Sequence, residues 1–250
     1  MTSLSKSSIS LERKSLTDQL FIHIKNMILS QELKCGESIP EEKIAKLFGV
    51  SRTPIRETLR NLEKYGLVKI NPRSQATVIE IALEEAHYIG EVRSVIETLA
   101  ARILAKKAVP EDIRSLEEID NQCVNAAKGG ISVEAYETDG LFHLEIAKRC
   151  GNPYIYSILK NLEAKIQLIR MMNCNLKVMR SDIQIHAKII EAIANHDSKT
   201  ASSYMQKHIA DFICHATPGG NTKQKKAPSV KKSPAKKPDA AAAAHKAAAF

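Results

Sequence analysis

The sequence predicts a mainly α-helical protein in which three helices and a β-hairpin precede an antiparallel bundle of about six helices. Apolar residues recur at helical spacing along most of the 250 residues. β-prone runs are confined to one short stretch around residues 67–81, and the chain beyond it is divided by Gly, Pro, Asn and Asp at helix-length intervals. A hydrophobic content of 44% is enough to bury a proper core.

The first two helices are predicted over residues 16–31 and 41–48. In each, apolar residues recur three and four positions apart, which places them on one face that can pack inward. The apolar positions on these faces are Leu20, Ile24, Met27 and Ile28 in the first helix and Ile44, Leu47 and Phe48 in the second. Cys35 and Gly36 lie in the turn between the helices, and Gly49 permits a sharp turn after the second.

A third helix follows and carries a cationic face. Thr53 suits the N-cap, Pro54 suits the first helical position, and Gly66 suits the left-handed end of the helix. Its two faces consist of Ile55, Leu59 and Leu62, which can pack, and of Arg52, Arg56 and Arg60, which are spaced by four. Guanidinium groups on such a helix can reach guanines or phosphates in a DNA major groove. An ordinary solvated arginine face has the same spacing, so the spacing alone leaves both interpretations open.

Two β-prone runs, residues 67–70 and 77–81, follow the third helix. The residues between them, 71–76, are typical of a hairpin turn. Three helices with such a hairpin beside them form a winged helix-turn-helix, which the sequence predicts over residues 16–81.

Residues 39–60 resemble the winged helix-turn-helix of GntR-family regulators. The most specific segment is the run GVSRTPIRETLR at residues 49–60. The resemblance implies DNA binding, with Arg52 and Arg56 contacting bases and phosphates. The supporting contacts that it implies come from Ser51, Thr53 and the wing residue Arg73.

Residues 84–217 are predicted to be helical almost throughout. The expected breaks lie at residues 109–110, 129–130, 151–153 and 197–198. In the third break, Gly151 can end one helix, Asn152 can cap the next, and Pro153 fits its first turn. Short connections between helices predict an antiparallel bundle.

Four polar residues are predicted to face the interior of this bundle: Asp139, His143, His186 and His208. Asp139 and His143 are four residues apart and share one helix face, while the two later histidines each lie among apolar residues. A single inward histidine is usually a hydrogen-bonded core residue, but a buried carboxylate is unfavourable without a partner. One divalent metal ion would satisfy all four groups. No further inward Glu or Asp that could act as a general base is evident beside them.

The bundle resembles the FCD type of ligand-binding domain found in one GntR subfamily. In that domain an Asp-x-x-x-His pair and two later histidines coordinate a metal, and the four inward residues match this motif in order. Imidazole and carboxylate ligands suit zinc first, with nickel, manganese or iron as alternatives. The resemblance also implies a small organic acid at the metal's open positions, and Arg93 is the best candidate to bind the acid's other end. The alternative role for Arg93 is a structural ion pair with Glu97.

The net charge of +9 is unevenly distributed. Residues 218–250 hold eight lysines and one aspartate, so residues 1–217 carry a net charge of only +2. A Lys/Pro/Ala-rich tail with so few apolar residues is predicted to be disordered. It can help to hold DNA phosphates, or it can be a solubilising or artificial extension. Residues 1–15 are predicted to form a flexible arm.

Composition argues against several other classes of protein. No stretch approaches the roughly 18 apolar residues that a membrane span needs, and the N-terminus lacks the apolar segment of a secretory signal. The five cysteines are odd in number and include no CxxC pair, which argues against a disulfide framework and a thiolate zinc site. We therefore expect a cytoplasmic protein.

These features together predict a homodimeric transcription regulator, acting as a repressor, that binds a palindromic operator. Two recognition helices related by a two-fold axis would match such a symmetric site. A divalent metal and a small carboxylate effector would bind in the helical bundle. The alternatives are a regulator that responds to the metal directly and a metal-dependent hydrolase that uses an open metal position. We expect no enzymatic activity.

Overall fold

The computed structural model describes residues 15–72, 75–128, 130, 133–172 and 176–215, with side chains described up to 172 and over 183–210. The predicted arm before residue 15 and the predicted tail at 218–250 lie outside these ranges. Among the described helices, none is both long and apolar enough to cross a membrane.

Three helices and a two-stranded antiparallel sheet form the N-terminal part of the chain. The elements are α1 (Leu16–Leu29), α2 (Glu41–Phe48), α3 (Arg52–Lys64), β1 (Val68–Ile70) and β2 (Ala76–Val78). Val68 pairs with Val78, and β1 packs against α3. Ile24 of α1 and Ile55 and Leu59 of α3 are buried where these helices meet. The predicted winged helix-turn-helix is therefore confirmed.

α1 begins where the sequence supplies a capping box. The Asp18 N–H donates to the Ser15 hydroxyl at 3.1 Å, and the Ser15 N–H donates to the Asp18 carboxylate at 3.0 Å. Each bond satisfies a backbone donor that the first helical turn leaves without a partner. The chain thus fixes the start of the helix locally.

The third helix begins earlier than the sequence analysis predicted. Its N-cap is Ser51 rather than Thr53, and Arg52 is its first residue. Gly49 ends α2 with a φ of +64°, which turns the chain so sharply that a new helix resumes three residues later. Pro54 then occupies the third helical position, where a missing N–H costs no intrahelical hydrogen bond.

Two smaller predictions were also wrong. Leu47, expected to face inward, is 66% exposed, because α2 buries Ile44 and Ala45 and the helix turns roughly 200° in two further residues. α1 ends at Leu29 rather than at residue 31, since Gln31 has a φ of +62° and a left-handed residue does not continue an α-helix.

The described chain from residue 83 onward forms six helices. They are α4 (Leu83–Ala105), α5 (Pro110–Lys128), α6 (Val133–Arg149), α7 (Pro153–Met172), α8 (Leu176–Ala194) and α9 (Ser198–His215). α4 packs along α9 and also touches α6, α7 and α8, which places it centrally. α5 packs against α6 and α8. The predicted helical bundle is confirmed.

The four predicted breaks fall at the junctions of α4 with α5, α5 with α6, α6 with α7, and α8 with α9. In the third of them Gly151 has a φ of +73°. The Asn152 side-chain oxygen accepts hydrogen bonds from the N–H groups of Tyr154, at 3.0 Å, and Ile155, at 3.4 Å.

Candidate metal centre and nucleic-acid interface

Three helices bring the four predicted metal ligands together inside the bundle. Asp139 and His143 lie one turn apart on α6, His186 lies on α8 and His208 on α9. Their exposed fractions are 4%, 2%, 0% and 1%, in that order. One donor atom from each residue can be chosen so that all four lie within 4.8 Å of one another. Burial of three imidazoles and a carboxylate at one point is unfavourable for folding unless these groups bind a partner.

The spacing of these atoms fits a single metal ion. His143 Nε2 lies 3.0 Å from His208 Nε2 and 3.6 Å from Asp139 Oδ2, while Asp139 Oδ1 lies 3.6 Å from His186 Nε2. Ligands at roughly 2.0–2.2 Å from one ion are separated by about 3–4 Å, which matches these distances. The buried His186 Nε2 also has no hydrogen-bond partner among the described residues. The donor set therefore fits zinc and the related divalent ions.

Two further carboxylates contact the opposite nitrogens of the histidine rings. Glu97 Oε2 lies 2.5 Å from His143 Nδ1, and Asp120 Oδ1 lies 3.3 Å from His186 Nδ1. A carboxylate at Nδ1 favours the tautomer with a proton on that nitrogen, so the Nε2 lone pair is aimed at the centre. Metal-binding histidines commonly have such partners.

The electrostatics hold these groups in the protonation states that metal binding requires. Burial lowers the pKa of His186 to about 4, although Asp120 acts against the shift, and burial also places the pKa of His208 well below its usual value. Burial alone would raise the pKa of Glu97, but Arg93 and His143 lower it to about 2. At neutral pH these two imidazoles are uncharged and the Glu97 carboxylate is ionised.

Arg93 is buried and reaches the metal centre through a carboxylate. Its Nε donates to Glu97 Oε1 at 2.6 Å, and the other oxygen of Glu97 faces His143. The side chain of Arg93 is only 1% exposed. The ion pair that the sequence analysis weighed as its structural role is thus present, and it links Arg93 to a predicted ligand.

A polar row on α7 closes this region, and the sequence analysis missed it. Arg170 forms an ion pair with Asp139, and Gln167 donates to Glu163 at 2.9 Å. Glu163 packs on Gly140 so closely that a Cβ there would meet its carboxylate oxygen. The expectation of no further inward carboxylate is therefore wrong, since Glu163 and the two carboxylates facing the histidine rings lie here. Glu163, Gln167 and Arg170 are spaced by four and three residues along α7, and this spacing was the signal that could have revealed the row.

The predicted DNA-contacting residues lie at the N-terminal end of α3. Ser51, Arg52, Thr53 and Arg56 are all exposed there. Arg73 of the wing falls outside the described residues. A helix start that presents arginines to solvent beside a hairpin has the shape and charge that a major groove admits.

Arg52 and Arg56 are each paired with a glutamate at the start of α2. Arg52 Nη2 lies 2.5 Å from Glu42 Oε2, and Arg56 Nε donates to Glu41 Oε2 at 2.9 Å. The four side chains line an open depression of about 540 Å³ between α2, α3 and the hairpin. Neither pair was predicted from the sequence. The paired residues are ten and fifteen positions apart, and they come into contact only because the chain turns between α2 and α3.

The N-terminal part touches the helical bundle next to the metal centre. Lys25 of α1 forms an ion pair with Glu137, which precedes Asp139 by two residues on α6. Cys35 Sγ lies 3.7 Å from Met172 Sδ at the end of α7. Burial raises the pKa of Tyr65, just after α3, to about 12, with Glu163 and Glu137 adding to the shift.

Comparisons with known proteins identify families and relatives that this chain resembles. The family models described as "Bacterial regulatory proteins, gntR family" and "FCD domain" match residues 16–78 and 88–211. The chain is 28% identical over 193 residues to the HTH-type transcriptional regulator YdhC of Bacillus subtilis (strain 168), covering 76% of this chain and 86% of YdhC. It is 29% identical over 207 residues to the gluconate operon transcriptional repressor of Bacillus licheniformis, covering 80% of this chain and 85% of that protein.

A solved structure shows the same fold. The structure of E. coli McbR/YncC aligns with a TM-score of 0.63 and 23% identity over 79% of this chain and 97% of that chain. The two sequence relatives are named as regulators of transcription. The chain therefore belongs to the GntR family of bacterial transcription regulators, with an FCD domain as its helical bundle.

Proposed function

We propose that this regulator is a homodimeric repressor whose FCD domain binds one divalent metal ion and a small carboxylate effector. The observation that carries the proposal is the buried cluster of Asp139, His143, His186 and His208 with carboxylates behind two of its imidazoles. In this proposal the domain of residues 16–81 binds DNA. The domain of residues 84–217 binds the metal and the effector and forms the dimer. Two relatives are repressors by name, and this favours repression. They are the gluconate operon repressor and the transcriptional repressor NanR of Enterobacter sp. (strain 638), which is 26% identical over 246 residues, covering 86% of this chain and 91% of NanR.

The metal proposed for the site is zinc, with nickel, manganese or iron as alternatives. Three imidazoles and one carboxylate suit all of these ions, and they leave coordination positions for a further ligand. Glu97 and Asp120 would orient the rings of His143 and His186 before the ion arrives.

The local charge supports an anionic effector. Asp139, Glu97 and Asp120 carry three negative charges, and Arg93 and Arg170 carry two positive ones. Burial raises the pKa of the nearby Glu163 and so disfavours a further negative charge there. With Glu163 neutral, a divalent ion changes the sum of these charges from −1 to +1, so one carboxylate would neutralise it. Because Coulomb interactions are strong in a buried site, this balance favours a monoanion over a neutral ligand. Arg93, linked to His143 through Glu97, is the residue we propose to bind the far end of the acid.

The dimer follows from DNA geometry. One recognition helix contacts only a few base pairs, and two on a two-fold axis match a palindromic operator and gain the affinity of linked binding. Arg52 and Arg56 would contact bases and phosphates, supported by Ser51, Thr53 and Arg73.

The contact between Lys25 and Glu137 offers a route between the two functions. Glu137 and Asp139 are two residues apart on α6 and point about 200° apart around the helix axis. A rigid shift of α6 caused at the metal would therefore move the Lys25 contact on its other side as well. An effector that prefers one position of α6 would thereby favour one position of α1.

The experiment that tests the proposal measures DNA affinity by fluorescence anisotropy with the full-length protein. The probe is a duplex selected by the wild-type protein from a random library. Affinity is measured on protein treated with chelator, on protein reloaded with zinc, and on reloaded protein with acetate, lactate, citrate or gluconate. We expect at least one acid to change the affinity, and chelation to abolish that response.

Two other outcomes would not support the proposal. A large change on chelation, with no effect of any acid, would favour the alternative of a direct metal-responsive regulator. Identical affinity in all conditions, with no zinc retained after dialysis, would contradict the proposal. Light scattering of the same samples tests the dimer, which should show twice the 27.6 kDa mass of one chain.

A further inference from the structure

The two arginines at the start of the recognition helix are each held by a carboxylate. Glu41 and Glu42 are consecutive residues in the first turn of α2, and they bond Arg56 and Arg52 across the helix-turn-helix. Glu42 also lies 3.1 Å from Lys46. Two negative charges therefore sit within the surface that faces a polyanion.

Stability does not explain this arrangement. The side chains of Glu42, Arg52 and Arg56 are 57%, 54% and 60% exposed, and exposed ion pairs contribute little to folding. Carboxylates at the start of α2 already gain from the helix dipole without any arginine. Acidic groups on a DNA-binding face also weaken the general attraction to phosphates. A role in the DNA complex accounts for them better.

An arginine that is free to rotate binds any phosphate and so adds affinity without specificity. Arg56 is bonded through Nε, and no described residue takes its two terminal amino groups, which remain available as a fork. That fork is the group that pairs with O6 and N7 of guanine. Glu41, only 19% exposed, holds the fork in one orientation.

Glu42 differs from Glu41 in exposure and in its number of partners. It bridges Arg52 and Lys46, so one carboxylate offsets two cations that otherwise would attract phosphates. Because the Glu42 side chain is 57% exposed, its carboxylate is in contact with solvent and would repel the phosphates of an approaching DNA backbone.

We propose that Glu41 and Glu42 are specificity-determining residues of this regulator. They orient Arg56 and Arg52 towards bases, and they weaken binding to DNA that offers phosphates alone. Glu41 acts mainly as a positioning residue for the Arg56 fork. Glu42 acts mainly by lowering the affinity for unrelated sequences. The proposal depends only on DNA binding by α3 and is independent of the metal and the effector.

The test compares full-length wild type, Glu41→Gln, Glu42→Gln and Glu117→Gln. Glu117 is exposed on α5, so its variant makes the same change in charge far from α3. Affinity is measured at several salt concentrations on a duplex selected by the wild type from a random library and on a scrambled duplex of the same composition. The ratio of the two affinities is the readout.

We expect Glu41→Gln and Glu42→Gln each to lower this ratio by roughly tenfold, the scale of one lost bidentate base contact. In Glu42→Gln most of the change should be tighter binding to the scrambled duplex. Its salt dependence should steepen by roughly one unit as a released cation turns to a phosphate. Glu117→Gln should match the wild type.

A fourth variant separates positioning from charge. Glu41→Asp keeps the negative charge but shortens the reach to Arg56, so it should lose affinity for the selected duplex and bind the scrambled duplex as weakly as the wild type does. Circular dichroism confirms that each variant is folded. Ratios within about twofold of the wild type in all folded glutamate variants would overturn the proposal, as would an equal loss of affinity for both duplexes.

Discussion

His186 illustrates how individual residues build the candidate metal centre. Its side chain is fully buried, with Asp120 at one ring nitrogen and Asp139 near the other. Asp139 is in turn held by Arg170. Asp139, His143 and His186 are therefore each held by a partner residue before a metal binds.

His186→Ala should lower the amount of bound zinc to a small fraction of the wild-type value. Glu97→Gln should keep all four donors yet weaken zinc binding by roughly 10–100-fold, because the ring of His143 loses its orienting carboxylate. Elemental analysis and competition with a chromogenic chelator measure both effects. Glu117→Gln serves as the control. Full zinc occupancy in His186→Ala would show that the ion binds elsewhere.

The buried histidine also predicts how the metal-free protein responds to acid. The pKa of His186 in the folded protein is about 4, below the usual 6.5, so protons bind more readily to the unfolded chain. Its contribution to folding stability is complete above about pH 6.5 and is lost as the pH falls towards 4. The melting temperature of chelated protein should decline across this interval, and His186→Gln should show a flatter decline. Parallel curves for the two proteins would contradict the assignment.

Arg52 provides the matching prediction for the DNA surface. Arg52→Ala should weaken binding to the selected duplex by about 1–3 kcal/mol, because a base or phosphate contact is lost at the start of α3. The metal content should remain that of the wild type, since α3 carries none of the four ligands. Anisotropy and elemental analysis on the same preparation check both statements. Unchanged DNA affinity would mean that another surface binds the operator.

Residues of the site that are close in the sequence could be predicted to lie together, and residues on different helices could not. Asp139 and His143 are one helical turn apart, so periodicity alone places them on one face. The partners Glu97 and Asp120 come from α4 and α5, and nothing in their local sequence indicates which histidine they meet. Long-range packing of helices decides such contacts. The pairs of α2 glutamates with α3 arginines escaped prediction for the same reason.

At the scale of elements, helix boundaries follow local chemistry where glycine, proline or a cap is present. Gly151 and Asn152 marked the start of α7 in advance.

The contact between α1 and α6 carries the prediction at this scale. Lys25→Glu should break the ion pair with Glu137 and reduce the effect of metal and acid on DNA affinity, while zinc binding persists. The double variant Lys25→Glu with Glu137→Lys restores opposite charges and should recover part of the response. Anisotropy with and without chelator measures the response in each variant. A response in Lys25→Glu equal to that of the wild type would remove this contact from the coupling route.

At the scale of the whole molecule, the chain joins two structures with separate chemistry. The N-terminal part presents exposed arginines and glutamates to a polyanion, and the bundle buries three imidazoles and several paired charges. The net charge of residues 1–217 is close to zero, so DNA binding depends on the local arrangement of α2 and α3. The fold class could be predicted because helical periodicity runs through most of the sequence.

The most direct test is a crystal structure of the protein as purified from cells, with diffraction data collected at the absorption edge of the metal found by elemental analysis. We predict one anomalous peak at roughly 2.0–2.2 Å from donors of Asp139, His143, His186 and His208. Density for a carboxylate should adjoin the ion on the side of Arg93. A peak on other residues, or an empty cluster after reloading with zinc, would contradict the account.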